Sequence, residues 1–145
     1  MDDHFLQLRV IYKDVHLIEL GIHVVHREWS AVSTAYASHS FLADSANAIL
    51  GWVKSPHDPL KIEAGADTGI GWMVLRFYSI SNAGHTRCGI KLATRTRTNE
   101  PRPAETSRFA IELPTELGLI ERFAGQCLAL GRDLKGEARL TGVSE

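Results

Sequence analysis

Two apolar runs separated by a short polar turn, Gly71 to Thr94 (GWMVLRFYSISNAGHTRCGIKLAT), constrain this chain more than any other stretch. Successive side chains of an extended strand point to opposite faces. Met73, Leu75 and Phe77 therefore share one face, and Trp72, Val74, Tyr78 and Ile80 share the other, with Arg76 the exception among them. A strand apolar on both faces belongs in the middle of a sheet or under a helix. Its partner alternates Cys88, Ile90 and Leu92 with Arg87, Lys91 and Ala93. Asn82-Ala83-Gly84 fits a four- or five-residue hairpin loop in which Gly84 takes the left-handed conformation. The hairpin is read as the structural spine, so binding is expected at its margins, at the Asn82 to His85 turn or along the basic edge from Arg87 to Arg97.

The remaining segments read as elements that pack around this spine. Leu6, Leu8, Val10 and Tyr12 alternate as a half-buried strand, Lys13 to His16 turns, and Ile18, Leu20, Ile22 and Val24 return antiparallel to it. Trp29 to Ala37 is a third strand whose alanines leave room for a closely packed helix. Ser38-His39-Ser40 offers an N-cap, Asp44 suits the positive end of the helix, and Leu42, Ala46, Ile49, Leu50 and Val53 form one stripe, which predicts a helix over 41–54. Pro56 and Pro59 stop it. A fourth strand spans Leu60 to Ala64. The proline-containing stretch from Thr94 to Thr106 reads as an exposed loop. Phe109, Ile111 and Leu113 mark the last strand, and a second helix opens at Pro114-Thr115-Glu116 with Thr115 as N-cap. Leu117, Ile120, Ala124, Cys127 and Leu128 form its buried stripe, and Gly131 is expected to end it. Both helices directly follow a strand and carry an alanine near the middle, Ala46 and Ala124; the pattern fits either a duplicated half or coincidence.

Together these elements predict one α+β domain over 1–131, a mainly antiparallel sheet of about six to seven strands with two helices packed on one face, followed by a frayed tail over 132–145. The chain has 145 residues, 44% of them hydrophobic and 23% charged, which suits a globular core without metal or disulfide support. A net charge of −1 argues against nucleic acid as a partner. No apolar run approaches the length of about 18 residues that spans a bilayer, and Met1-Asp2-Asp3-His4 lacks the features of a signal peptide. With Cys88 and Cys127 the only cysteines, both in apolar patterns, buried thiols and a cytoplasmic setting are expected.

Chemistry-bearing constellations are sparse. His23-x-x-His26-x-Glu28 suggests a metal cluster, but strand positions three apart face opposite sides, so no metal site is predicted. No nucleophile motif is present, and neither enzymatic activity nor a cofactor is expected. Arg87, Lys91, Arg95 and Arg97 share one parity and would line an edge, either as a solvated charge row that discourages strand pairing or as a contact for an anionic protein partner or RNA. Arg76 is expected to be buried and paired with Glu63 or Glu112. Trp29, Trp52 and Trp72 fall on three different elements and read as packing residues, with joint exposure of Trp29 and Trp52 the alternative that would mark an interaction surface.

Arg76-Phe77-Tyr78, then Ser81-Asn82-Ala83-Gly84-His85 and Ile90-Lys91-Leu92-Ala93-Thr94, followed near the C-terminus by Phe123-Ala124, resembles a pattern in small uncharacterised bacterial α+β proteins in which an Ala-Gly-His turn joins two strands and the chain closes on a strand and a helix. The resemblance implies a cytoplasmic domain without known catalysis; some such proteins are suspected of acting as immunity proteins against bacterial toxins. The functional expectation is a non-enzymatic bacterial binding protein, immunity-like or homodimeric, that contacts a protein partner or itself and no membrane. The alternative is a small-ligand module or enzyme with a pocket near the hairpin, using Arg76, Tyr78 and His85.

Overall fold

The computed structural model describes residues 4–67, 69–96 and 105–144. Within them the elements follow as β1 (His4–Lys13), β2 (Ile18–His26), β3 (Trp29–Ala37), α1 (Phe41–Lys54), β4 (Leu60–Gly65), β5 (Gly71–Ser79), β6 (His85–Arg95), β7 (Thr106–Glu116), α2 (Leu117–Asp133) and β8 (Ala138–Thr141). The class is α+β, as expected. The strands form two antiparallel sheets of four, ordered β3-β2-β1-β8 and β4-β5-β6-β7, where the sequence predicted a single sheet of six to seven. The division falls at α1, because β3 does not share a hydrogen-bonded ladder with β4. It rests instead against β4, β5 and β6. A Cβ built on Gly71 would stand 2.0 Å from the Thr34 carbonyl oxygen, so only glycine permits this approach, and the Ser33 and Thr94 hydroxyls meet at 2.9 Å beside it.

The inner faces of both sheets and the apolar stripes of both helices enclose one core. Leu8, Ile62, Met73 and Leu75 meet Leu42, Ile49, Phe123 and Cys127 there. Each such side chain contributes about 1.5–3 kcal/mol on leaving water, so the inner parity of every strand is strongly specified. Of the β5 residues on the opposite parity, Arg76 is exposed, Trp72 and Tyr78 are half-buried and Val74 is buried. The reading of a strand covered on both sides is therefore corrected. Val74, 8% exposed, lies between its cross-strand neighbours Glu63 and Lys91.

The two sheets repeat one another. In the first, Leu8 pairs with Ile22, Arg9 with Gly21, and Gly21 in turn with Thr34; in the second, Leu75 pairs with Ile90, Arg76 with Gly89, and Gly89 with Glu112. The buried stripes Leu42, Ser45, Ala46, Ile49, Trp52 and Ile120, Phe123, Ala124, Cys127, Leu130 share one spacing. Strand order and pairing match when β8-β1-β2-β3-α1 is laid on β4-β5-β6-β7-α2. β8 thus supplies, from the far end of the chain, the strand that β4 supplies to the second half.

That topology explains the departures near the C-terminus. Residues 132–145, read as a frayed tail, contain β8, whose Ala138 and Leu140 are fully buried against β1 and α2. Thr115 does not cap α2. It lies in β7, and its hydroxyl donates to the Thr141 carbonyl at 3.0 Å, while the Val143 amide donates to the Pro114 carbonyl at 2.8 Å. Helix α2 also runs past Gly131 to Asp133 and ends at Leu134, whose φ is left-handed at 57° and whose amide donates to the Leu130 carbonyl. Gly131 packs close to Leu42 of α1 instead.

Candidate functional site

Strand alternation and the β4–β7 register place a specific set of side chains on the solvent-facing side of the second sheet. One cross-strand row reads Lys61, Arg76, Gly89, Glu112; the next reads Glu63, Val74, Lys91, Ala110. Trp72, Ala93 and Arg108 lie beyond the second row, and Tyr78 and Arg87 beyond the first. Around the missing side chain of Gly89 these residues leave an open groove of about 580 Å³, lined by Lys61, Trp72, Val74, Arg76, Gly89, Lys91 and Glu112.

Glu112, which lines the groove, and Glu63, beside Val74 in the second row, are both engaged within the sheet. Glu63 accepts the indole N–H of Trp72 and lies 3.5 Å from the Lys61 ammonium; the indole bond first, and Lys61 in addition, hold its carboxyl below the usual range. Glu112 accepts the Tyr78 hydroxyl at 2.7 Å. Partial burial and then that bond raise the Tyr78 phenol above its ordinary value. The cations are placed differently. Arg76 stacks on the Tyr78 ring, 4.8 Å from its centroid. Among the described residues neither Arg76 nor Lys91 has a carboxylate within 4.0 Å. The expected buried pair of Arg76 with Glu63 or Glu112 is therefore corrected: the arginine is exposed, and each carboxylate has taken a different donor.

Of the residues singled out from sequence, Arg76, Tyr78 and Lys91 come together at this groove. Arg87 occupies the adjoining position opposite Tyr78 and donates to the Thr86 carbonyl at 3.1 Å. His85 does not join them; it starts β6 opposite Glu116, beside a separate recess formed with Ala83, Gly84, Leu117 and Gly118. Gly84 has the expected left-handed φ, 86°, in that turn. Arg95 ends β6, where its amide donates to the Ile70 carbonyl at 2.8 Å. Arg97 lies outside the described residues. Sequence reasoning missed Gly89, Lys61 and Trp72 as members of the site, and it considered Glu112 solely as an ion-pair partner. The signal for Glu112 was its parity in β7, which sets it on the face opposite Leu113.

Other polar clusters carry less. His23 and His26 face opposite sides, as the period of two requires: His23 meets the Phe5 ring at 5.2 Å and His26 meets His4 at 5.3 Å. Burial first, then His4 and Arg27, lowers the His26 imidazole below its usual value. Among the described residues no three His, Cys, Asp or Glu side chains are placed to hold a metal ion. Burial pushes the Cys127 thiol up to about 12 and raises Cys88 further. Trp52 is 8% exposed, donating to the Asp58 carbonyl, whereas Trp29 is 62% exposed; the two do not form a joint surface.

Comparison of this chain with family models, with curated proteins and with solved structures gives no match. Among the described residues no helix is long and apolar enough to cross a membrane.

Proposed function

We propose that this chain is a non-enzymatic binding protein that recognises an acidic segment of a protein partner on the outer face of its second sheet. One observation carries the reading: Arg76 and Lys91 flank a groove floored by Gly89 and Val74, yet neither cation is neutralised by a carboxylate among the described residues. Cations held beside a hollow and left without a counter-charge favour an incoming anion and speed its encounter. Arg76 is further held in place because its guanidinium carbon lies over the Tyr78 ring, 4.8 Å from the centroid. The immunity-like role implied by the hairpin resemblance is one form of this reading.

A bait comparison tests it. Wild-type protein and the Arg76→Glu/Lys91→Glu double variant are immobilised and exposed to extract of the native host. The expected result is a protein retained by the wild type and lost by the variant, with both baits melting at the same temperature. Equal retention by both baits, or none by either, overturns the reading.

Self-association is a second reading, favoured by the exposed Ile11, Tyr12, Val32 and Tyr36 on the first sheet. Its measure is solution mass across a concentration series, and a monomer throughout excludes it.

A further inference from the structure

The carboxylate of Glu112 lines the groove over Gly89, although Glu112 belongs to the edge strand β7. A Cβ built on Gly89 would stand 2.8 Å from Glu112 Oε1 and 3.1 Å from Oε2, so the carboxylate fills the space that any other residue at position 89 would take. Tyr78 holds it there with a 2.7 Å hydrogen bond. The side chain is exposed, so rotating it into solvent costs little beyond that bond.

We propose that Glu112 is an internal stand-in for the ligand, and that the groove takes an aspartate or glutamate side chain of an extended partner segment in the place its carboxylate now occupies. This rests on the binding role proposed above and specifies its chemistry. An incoming carboxylate inherits the Tyr78 donor, so the hydroxyl bond is exchanged and not lost. Arg76 and Lys91 lie beyond ion-pair distance of that place and attract the incoming charge through space. Gly89 leaves bare backbone at the floor, which lets an extended main chain come close.

The stand-in role makes an uncommon demand: removing a polar side chain from the site must improve binding. Hexaglutamate peptide is titrated into the full chain while the Trp72 indole and Gly89 amide signals are followed by NMR, with hexaglutamine and oligothymidylate as comparison ligands. Hexaglutamate is expected to move both signals and hexaglutamine neither. Glu112→Gln, which keeps the shape and removes the charge, is expected to tighten hexaglutamate binding roughly three- to tenfold, and Arg76→Glu to abolish it. Unchanged or weaker binding by Glu112→Gln overturns the proposal, as does tighter binding of oligothymidylate than of hexaglutamate. If hexaglutamate moves no signal while capture of the host protein still depends on Arg76 and Lys91, the stand-in role falls and the broader binding role stands. If both fail, both fall.

Discussion

Truncating Leu140 to alanine tests whether the end of the chain is an integral part of the first sheet. Leu140 is 0% exposed, pairs with Leu6 across β1, and sits in a strand of four residues that packs on α2. Leu→Ala at a fully buried site costs about 2–5 kcal/mol, from lost transfer energy plus the cavity left behind. A short edge strand collapses more readily than a central one, which puts the expectation at the low end, about 2–3 kcal/mol. With roughly 2.1 cal/mol/K of unfolding entropy per residue, the 145-residue chain has about 0.3 kcal/mol/K, so the melting temperature should fall by about 7–10 °C. Urea titration followed by far-ultraviolet circular dichroism measures the same quantity as a lower midpoint at constant slope. Val15→Ala is the reference, since Val15 is 86% exposed and its loss should stay within about 0.5 kcal/mol. A Leu140→Ala midpoint that matches the Val15→Ala midpoint refutes the assignment of β8 to the core.

The Thr86 hydroxyl is fully buried without a hydrogen-bond partner among the described residues, and the corresponding place in the first half is held by Ile18; Thr86→Val should therefore stabilise by about 1 kcal/mol, read as a rise of about 3 °C in the melting temperature. Gly71→Ala should destabilise by about 1–3 kcal/mol because its Cβ meets the Thr34 backbone, whereas Gly125→Ala, in the open on α2, should stabilise by about 0.5–1 kcal/mol; chemical denaturation distinguishes the two signs. Asp14 accepts the amides of His16 and Leu17, which lowers its carboxyl below the ordinary aspartate value. The folded state then favours the ionised form, so its contribution is complete above the ordinary aspartate range and is lost as pH falls through the lower folded-state midpoint. Carboxyl-carbon NMR titration should show that lowered midpoint, and a midpoint at the ordinary value contradicts it.

Local elements were legible because they rest on local physics. The third strand and the first helix fall at 29–37 and 41–54 in sequence and structure alike, since alternation, the prolines after Lys54 and the Leu42–Val53 stripe are all short-range signals. Sheet membership was not legible. No feature of β3 announces that it leaves the ladder at Ala37 and packs on Gly71, a contact more than thirty residues away along the chain. β8 escaped for a related reason: four residues with two inward apolar side chains are indistinguishable from a tail until β1 is seen to lack a partner on that side. At the site, Arg76 and Tyr78 stood out as polar groups in an apolar strand, and Lys91 as part of the basic run. Gly89 did not, because a glycine's contribution is the space it leaves, which depends on the neighbour in β7.

The repeated architecture shows what separates the groove from the fold that carries it. Both sheets present an arginine opposite a glycine on their outer faces, Arg9 with Gly21 and Arg76 with Gly89. In the first sheet an irregularity between Val10 and Tyr12 brings Ile11 over the glycine, with its Cγ2 2.9 Å from the position a Cβ would take. That space is closed by hydrocarbon. In the second sheet the pairing of β5 with β6 runs without such a shift, and Glu112 comes from the opposite side to lie over Gly89. An isoleucine wedged over glycine resists displacement because moving it exposes apolar surface, at about 25 cal/mol per Å². A solvent-exposed carboxylate held by one hydroxyl yields to another carboxylate nearly without cost. Two halves with the same ladder therefore differ in whether the hollow over their glycine can be emptied, and in the second it is flanked by Arg76 and Lys91, which have no carboxylate within 4.0 Å among the described residues. Recognition on this reading belongs to the divergence at Glu112 and Lys91, against Thr34 and His23 in the first sheet, and not to the architecture the halves share.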